Sequence, residues 1–230
     1  MYDVLKTPIF GIVATIIFFN IGAYIQKKTK MAIFNPLLIA ILGIIAFLKV
    51  SNISYDSYKL GGDTINFFLA PVTIVLAVPL YKQYDLLKKH FYEIMIGITT
   101  GVVVSFVSIV IISKLTKSDI LIMNSLLGKS ITTPMGISLT STLGGIESVT
   151  IVAIILTGII GGIIATPIFK IINTKHPVSK GIALGTASHA LGTTKALELG
   201  EVEGAMSGLA IGISGTITVI LIPILINFIK

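Results

Sequence analysis

Residues 146–169, with the sequence IESVTIVAIILTGIIGGIIATPIF, decide the fold class of this chain. The stretch has one ionisable side chain, that of Glu147, and its other residues are apolar, small or hydroxyl-bearing. A helix needs about 20 predominantly apolar residues to cross the roughly 30 Å hydrocarbon core of a bilayer. Residues 146–169 therefore predict a transmembrane helix.

Five further runs have the same character, and a chain of 230 residues has room for roughly six to eight such crossings. The third run is interrupted by Pro71 and Pro79 and carries Asn66 near its start. This pattern predicts a broken helix that is surrounded by protein or water, because lipid cannot satisfy the freed backbone groups. The predicted spans are 9–25, 33–48, 64–80, 91–113, 146–169 and 206–229.

The composition excludes a soluble globular protein. Hydrophobic residues make up 54% of the chain and charged residues 12%, whereas an ordinary soluble domain has about 25% charged residues. The chain has no cysteine, which excludes disulfides, thiolate metal sites and cysteine nucleophiles. The sequence also contains no evident nucleophile–base pair or cluster of metal ligands. We therefore expect a protein that is not an enzyme and that uses no cofactor and no metal.

Two segments, 119–145 and 181–200, are rich in Gly, Ser and Thr and are too interrupted to be plain lipid-facing helices. Non-helical backbone survives at membrane depth only where protein or trapped water satisfies its N–H and C=O groups. Both segments are therefore predicted to be re-entrant or broken helices. The sequence leaves open whether each segment re-enters or spans.

The chain has no arginine, so lysines supply all the positive side-chain charges behind its net charge of +7. The lysines stand in short groups between apolar runs, which is typical of topology signals and not of a nucleic-acid surface. If the loops after the first, third and fifth spans are cytoplasmic, the N-terminus is external, although lysines elsewhere make this bias modest. The lysines of those three loops are Lys27, Lys28, Lys30, Lys82, Lys88, Lys89, Lys170, Lys175 and Lys180.

The second half of the chain repeats its own pattern. Each unit has an interrupted segment, an acidic residue and a long apolar helix that ends near a proline. Paired interrupted segments in inverted repeats point to the binding site of a secondary transporter. We predict an all-α polytopic membrane protein with about six full transmembrane helices, two re-entrant or broken-helix segments and an inverted repeat, transporter-like and of the elevator type. An offset of 56 residues aligns Gly144 with Gly200, Glu147 with Glu203, and Pro167 with Pro223.

Polar residues in the two interrupted segments are the candidate substrate contacts. Hydroxyls and the N–H groups at a helix N-terminus can hold a carboxylate without arginine, and a nearby lysine adds a full charge. The structural alternative is that Ser and Thr only mediate helix packing, which they commonly do in membranes. The candidate substrate-binding residues are Lys129, Ser130, Thr132, Thr133, Pro134, Ser188, His189, Gly192, Thr193, Thr194 and Lys195.

His189 and Glu198 are the candidates for proton coupling. Ionisable groups at membrane depth are costly and usually face a polar cavity, and histidine titrates near neutral pH. The alternatives are that His189 hydrogen-bonds a neighbouring carbonyl, and that Glu198 pairs with Lys195 one helical turn away. The sequence does not decide between these interpretations.

Three groups of residues form recognisable motifs. GGD at 61–63 directly precedes the third span, which carries FLAP at 68–71 and ends within AVPLY at 77–81. The first interrupted segment carries KSITTP at 129–134 and LGGI at 143–146, and the second carries GIALGTASH at 181–189 and ALELG at 196–200. Together these motifs resemble those of the LrgB/CidB family of antiholin-like membrane proteins. The LrgB-like half of the plant plastidial glycolate/glycerate translocator is related to this family.

The resemblance covers nearly the whole chain and implies a single transmembrane LrgB-like domain over residues 1–230. We expect the first three helices in residues 1–90. The fourth helix, the first interrupted segment and the fifth helix are expected in 91–170, and the second interrupted segment and the last helix in 171–230. Because bacterial family members are membrane proteins, the expected location is the bacterial plasma membrane.

The resemblance also implies two functions. Bacterial members are described as acting with a small holin-like partner of the LrgA or CidA type to control murein hydrolase activity and lysis. The plastid relative moves small 2-hydroxy acids. The interrupted segments favour a transporter of small monocarboxylates (pyruvate, glycolate, glycerate or lactate) that uses a proton and influences autolysis, and the antiholin-like regulator is the alternative. The expected partners are the organic anion, membrane lipid, a holin-like protein and further copies of the chain, but not nucleic acid.

Overall fold

The computed structural model describes residues 4–29, 34–68, 71 and 77–229, except for the side chains of residues 77, 79 and 80. Throughout these residues the regular secondary structure is helical. The chain divides into two compact units, Met1–Val75 and Leu76–Lys230.

In its described residues, the first unit contains three α-helices that pack through glycine contacts. A Cβ on Gly11, in the first helix, would meet the Cα of Gly61, in the third, at 2.9 Å. The hydroxyls of Thr15 and Tyr58 are hydrogen-bonded near the same contact at 3.0 Å. Small residues let helix backbones approach closely in a bilayer, where packing drives association. These helices are α1 (Pro8–Thr29), α2 (Pro36–Val50) and α3 (Tyr55–Phe67).

The second unit consists of long apolar helices and shorter helical arms. Three of the long helices carry acidic residues in their first turn, where the partial positive charge of the helix dipole stabilises them: Glu93 in one, Glu147 in the second, and Glu201 and Glu203 in the third. The helices are α4 (Ala77–Lys82), α5 (Tyr84–Lys89), α6 (Phe91–Leu115), α7 (Ile120–Leu126), α8 (Thr133–Leu143), α9 (Glu147–Ile171), α10 (Pro177–Leu199) and α11 (Glu201–Ile226).

Four helices of the described residues, α1, α6, α9 and α11, are long and apolar enough to cross a membrane. They confirm four of the predicted spans, although α11 begins at Glu201, five residues before the predicted start at 206. The span predicted at 33–48 corresponds to α2, which has only 15 residues. The span predicted at 64–80 runs partly outside the described residues. The expected number of six crossings therefore stays a prediction.

The segment predicted to be interrupted at 119–145 forms a helical hairpin. A Cβ on Gly128, just after α7, would meet the Cα of Gly136 in α8 at 3.1 Å. Further from the tip, Asn124 Nδ2 donates to the Leu143 carbonyl at 2.7 Å. Because the residue number rises along one arm while it falls along the other, α7 and α8 run antiparallel. Gly144 ends α8 in the left-handed region, with φ of 71°.

The segment predicted to be interrupted at 181–200 is a second hairpin, whose arms are the two halves of α10. The backbone leaves helical geometry at Ser188 and at His189, which has φ of 42° and ψ of −134°. Before the break, Gly181 and Gly185 lie against the carbonyls of Glu203 and Ser207 in α11, so this arm is parallel to α11.

The arm after the break runs in the opposite direction. Leu197 packs on Gly204, and the hydroxyl of Thr193 lies 2.8 Å from that of Ser207, so this arm is antiparallel to α11. The two arms of α10 are therefore antiparallel to each other. They meet where Gly192 lies against the Leu184 carbonyl, a contact that leaves no space for a Cβ at Gly192.

The contacts of the two hairpins recur at the offset of 56 residues. In each hairpin the two arms meet at positions eight residues apart. The first arm contacts the long helix that follows it in sequence. The second arm contacts the long helix that belongs to the other hairpin's repeat. Contacts that recur at equivalent positions support the repeat more strongly than matching residue types do. The contact between residues 128 and 136 corresponds to that between 184 and 192, and the contact between 125 and 150 corresponds to that between 181 and 206. Within one residue, the contact between 135 and 215 corresponds to that between 191 and 158.

Loop contacts mark the two ends of the second unit. The rings of His90 and His176 are 5.8 Å apart between centroids, which brings the starts of α6 and α10 to one end. At the other end, Lys117 and Ile229 line the same groove, so the ends of α6 and α11 lie together. This arrangement is the one that re-entrant hairpins require, because a hairpin returns to the side from which it starts.

We predict that cysteines introduced at Gln83 and Lys175 face one side of the membrane and that a cysteine at Lys117 faces the other. The natural chain has no cysteine, so each introduced thiol is unique. With the lysine-rich loops inside, an impermeant maleimide added to intact cells should label Lys117→Cys only. Labelling of Lys175→Cys together with Lys117→Cys would show that a predicted hairpin spans the membrane.

Candidate functional site

The break in α10 is buried against glycines of α9. His189 and Ser188 are 4% and 2% exposed. A Cβ on Gly158 would lie 2.8 Å from Cε1 of His189, and Gly161 lies directly against Ser188 Oγ. Larger residues at either glycine would displace the break, so these glycines of α9 form the surface on which the break packs.

The ring of His189 is held by the backbone of α9. Its Nε2 lies 2.9 Å from the Ile154 carbonyl, and since a carbonyl can only accept, Nε2 is the donor. The same residue adopts positive φ, which costs a side-chain-bearing residue roughly 1–3 kcal/mol. The bond to Ile154 is the one expected from the structural interpretation of His189, and it also fixes the ring at the break.

The buried hydroxyl of Thr193 joins the second arm of α10 to α11. It donates to the His189 carbonyl at 3.2 Å and lies 2.8 Å from Ser207 Oγ. Gly192, beside it, is part of the close contact between the two arms. Four of the predicted residues, Ser188, His189, Gly192 and Thr193, are thus brought together.

Three other predicted residues of α10 do not join this group. Thr194 is exposed and its hydroxyl donates to the Ala190 carbonyl at 3.3 Å. Lys195 Nζ forms an ion pair with Glu198 Oε2 at 2.8 Å, and the Glu198 side chain is 58% exposed. The pairing of Lys195 with Glu198 is the alternative that the sequence allowed, whereas the role of Glu198 in proton coupling stays a prediction.

The tip of the first hairpin carries Lys129, the second lysine among the predicted substrate contacts. Lys129 Nζ donates to Ser130 Oγ at 3.2 Å, and both residues are half-buried. Ser130, beside Lys129, lines the same cleft as Thr186 of the second hairpin, so the two tips are near each other. Thr132 and Thr133 are half-buried at the start of α8, and Pro134 is exposed in its first turn.

The two hairpin tips enclose a small cleft. Ser130 from the first tip and Thr186 from the second hairpin face it, together with Ser105 of α6 and Thr218 of α11. The cleft has a volume of about 10 Å³, close to the space of one water molecule. Thr186 is 8% exposed, and its Oγ1 has no hydrogen-bond partner among the described residues.

A larger open groove of about 260 Å³ lies away from the hairpin tips, where α6 and α11 end. Its polar residues include Lys114 and Lys117. Lysines near helix C-termini complement the partial negative charge of the dipole, and this accounts for their position.

The two remaining predicted residues, Asn66 and Pro71, belong to the first unit. Asn66 lies in the last turn of α3 and is exposed, as is Pro71. The chain between them includes residues outside the described ones. Within the described residues, no group of three or more His, Asp or Glu side chains could hold a metal ion.

The long apolar helices and the paired hairpins define a polytopic all-α membrane protein. The chain belongs to the LrgB-like family, whose family model matches residues 15–228. It is similar to the antiholin-like protein LrgB of Bacillus mycoides (strain KBAB4), with 41% identity over 224 residues that cover 97% of each chain. The same identity and coverage hold for the proteins of that name from Bacillus cereus (strain B4264) and Bacillus anthracis (strain CDC 684 / NRRL 3495).

These comparisons confirm the family resemblance and make this chain a multi-pass bacterial membrane protein. No solved structure matches the chain. The relatives are named antiholin-like, which is not the name of an enzyme.

The sequence analysis missed Ser105, Thr186, Ser207 and Thr218. Three of them lie within apolar helices, where single hydroxyls carry no distinctive pattern. Thr186 had a signal, because the offset of 56 residues pairs it with Ser130.

We predict that Gly192→Ala destabilises the fold by about 1–3 kcal/mol, the usual cost of forcing atoms into a filled site. The added methyl group would collide with the Leu184 carbonyl. Gly162→Ala is the matched control, since its new Cβ would lie 3.9 Å from the Leu191 carbonyl in ordinary contact. Thermal unfolding of the purified protein, followed by circular dichroism, measures both. Equal melting temperatures would contradict the hairpin contact.

Proposed function

We propose that this chain is an antiholin-like membrane protein that restrains cell lysis by acting on a small holin-like partner of the LrgA or CidA type. The support is its 41% identity, over 97% of both chains, to proteins named antiholin-like protein LrgB. An alignment of that length leaves no large segment of either protein unmatched, so the whole fold is shared. The chain would control murein hydrolase activity through this partner.

We predict that co-expression of this chain with a holin-like partner in a bacterial host delays lysis relative to the partner alone. The physical reason is competition, because a polytopic protein that binds the partner removes it from the lytic oligomer. The measurement is culture turbidity against time, with immunoblotting to show equal membrane levels of the partner. An unchanged lysis time with the chain present in the membrane would contradict the antiholin-like function.

A second function, transport of small monocarboxylates, is favoured by the paired hairpins. A helix rises about 1.5 Å per residue, so α8, with 11 residues, is about 16 Å long, roughly half of a 30 Å hydrocarbon core. Re-entrant hairpins of this length end near the middle of the bilayer, where secondary transporters bind their substrates. A hairpin starts and ends on one side while α9 crosses, so the repeat that contains α10 and α11 would be inverted relative to the repeat that contains α7, α8 and α9. An elevator-type mechanism belongs to this proposal.

Within the transport proposal, His189 couples substrate movement to a proton. It lies at the break, and its ring is fixed by the Ile154 carbonyl. Proton-coupled uptake of pyruvate, glycolate, glycerate or lactate would depend on pH, because a cationic ring attracts the anion and a neutral ring releases it.

We predict that His189→Gln flattens the pH dependence of monocarboxylate uptake. Glutamine can still donate a hydrogen bond towards Ile154 but does not titrate. The measurement is uptake of labelled pyruvate, glycolate, glycerate and lactate by proteoliposomes between pH 5.5 and 8, the range about the usual pKa of histidine. His176→Gln is the control, since His176 is exposed at the start of α10. An unchanged pH profile in well-folded His189→Gln protein would remove His189 from the coupling mechanism.

A further inference from the structure

We propose that the cleft between the two hairpin tips, lined by Ser130, Thr186 and Thr218, binds the carboxylate group of a short monocarboxylate. This assignment rests on the proposed transport function. It places the carboxylate at hydroxyl groups from the tip of the first hairpin, from α10 and from α11, away from the exposed Thr194 and the half-buried Lys195.

The cleft lies where the two repeat units meet. Ser130 and Thr186 are 56 residues apart and are therefore equivalent positions of the repeat. Equivalent residues can come together only near the pseudo-two-fold axis that relates the two units. Both line this one cleft, so the cleft is the point at which movement of either hairpin changes the surroundings of a bound ligand.

Thr186 has an unsatisfied hydroxyl in this cleft. A buried polar group without a hydrogen-bond partner is destabilising, and a valine of the same shape would avoid that cost. The methyl group of Thr186 packs closely on Gly101, since a Cβ added to that glycine would lie 2.8 Å from Cγ2 of Thr186. A hydroxyl that finds no partner in its own fold is explained if a ligand supplies the partner.

The surrounding groups select an anion. A carboxylate is only an acceptor, and Ser105, Ser130, Thr186 and Thr218 offer hydroxyl donors around the cleft. Lys129 is hydrogen-bonded to Ser130 and adds positive charge beside it. No Asp or Glu lines the cleft in the described part of the chain, so nothing there would balance a cation or repel a carboxylate.

The size of the cleft limits the ligand. Its volume of about 10 Å³ holds roughly one water molecule, so a carboxylate enters only when the tips move apart. Apolar side chains complete the lining and would face a short alkyl group of the substrate. These apolar residues are Val102, Phe106, Leu127, Ile131 and Ile222. Short monocarboxylates fit this setting, whereas a second carboxylate would be buried without a partner.

The test is Thr186→Val in the full-length protein reconstituted in lipid nanodiscs, with radiolabelled pyruvate and lactate as the binding probes. We expect affinity to fall about tenfold to a hundredfold, as for a lost hydrogen bond to a charged group, with an unchanged or higher melting temperature. A purely structural threonine would give the opposite pattern, a lower melting temperature with unchanged affinity. Thr142→Val is the matched control, because Thr142 is exposed in α8 and bonds only its own helix at the Ser138 carbonyl.

The outcomes separate the site from the function. If wild-type protein takes up pyruvate or lactate while Thr186→Val binds both normally, the site is wrong and transport stands. If wild-type protein neither binds nor takes up any monocarboxylate, the transport function is wrong and the site falls with it. Should Thr186→Val fail to fold, Ser130→Ala provides the same comparison from the other hairpin.

Discussion

The structure depends on how backbone groups are satisfied where helices break at membrane depth. Lipid offers no hydrogen bonds, so a break persists only against other parts of the protein. The second unit meets this requirement by seating the break at Ser188 and His189 on α9, where glycines allow the approach and the Ile154 carbonyl holds the histidine ring. The first hairpin uses a buried network instead, in which Ser125 bonds the backbone of Ile146 and the hydroxyl of Thr150.

Much of this architecture could be predicted from the sequence, because hydrocarbon imposes a simple rule on composition. The apolar runs that became α1, α6, α9 and α11 were evident, as were the two interrupted segments. The exact ends were less certain: α11 starts at Glu201, since Gly200 ends the preceding arm and acidic residues favour the new helix start. The short α2 shows that an apolar run need not form a helix of full crossing length.

The candidate site was only partly predictable. Ser188, His189, Gly192 and Thr193 were expected and lie together, because a polar cluster within one segment stays together when that segment folds. Thr194 and Lys195 follow them in sequence but lie off this face, since a helix turns about 100° per residue. Thr194 is exposed, and Lys195 is half-buried in an ion pair with Glu198. Thr186 and Thr218 meet only through the packing of α10 on α11, and no local pattern encodes such a meeting.

The recurring contacts have a consequence for how the two halves differ. At equivalent positions the shapes agree while the side chains do not: His189 corresponds to Thr133, and Lys129 corresponds to Gly185. Each copy therefore keeps the backbone path and carries a different ionisable group at its tip. Two hairpins with matching contacts can therefore carry different chemistry, because one tip presents an ionisable side chain where the other presents a hydroxyl or a glycine.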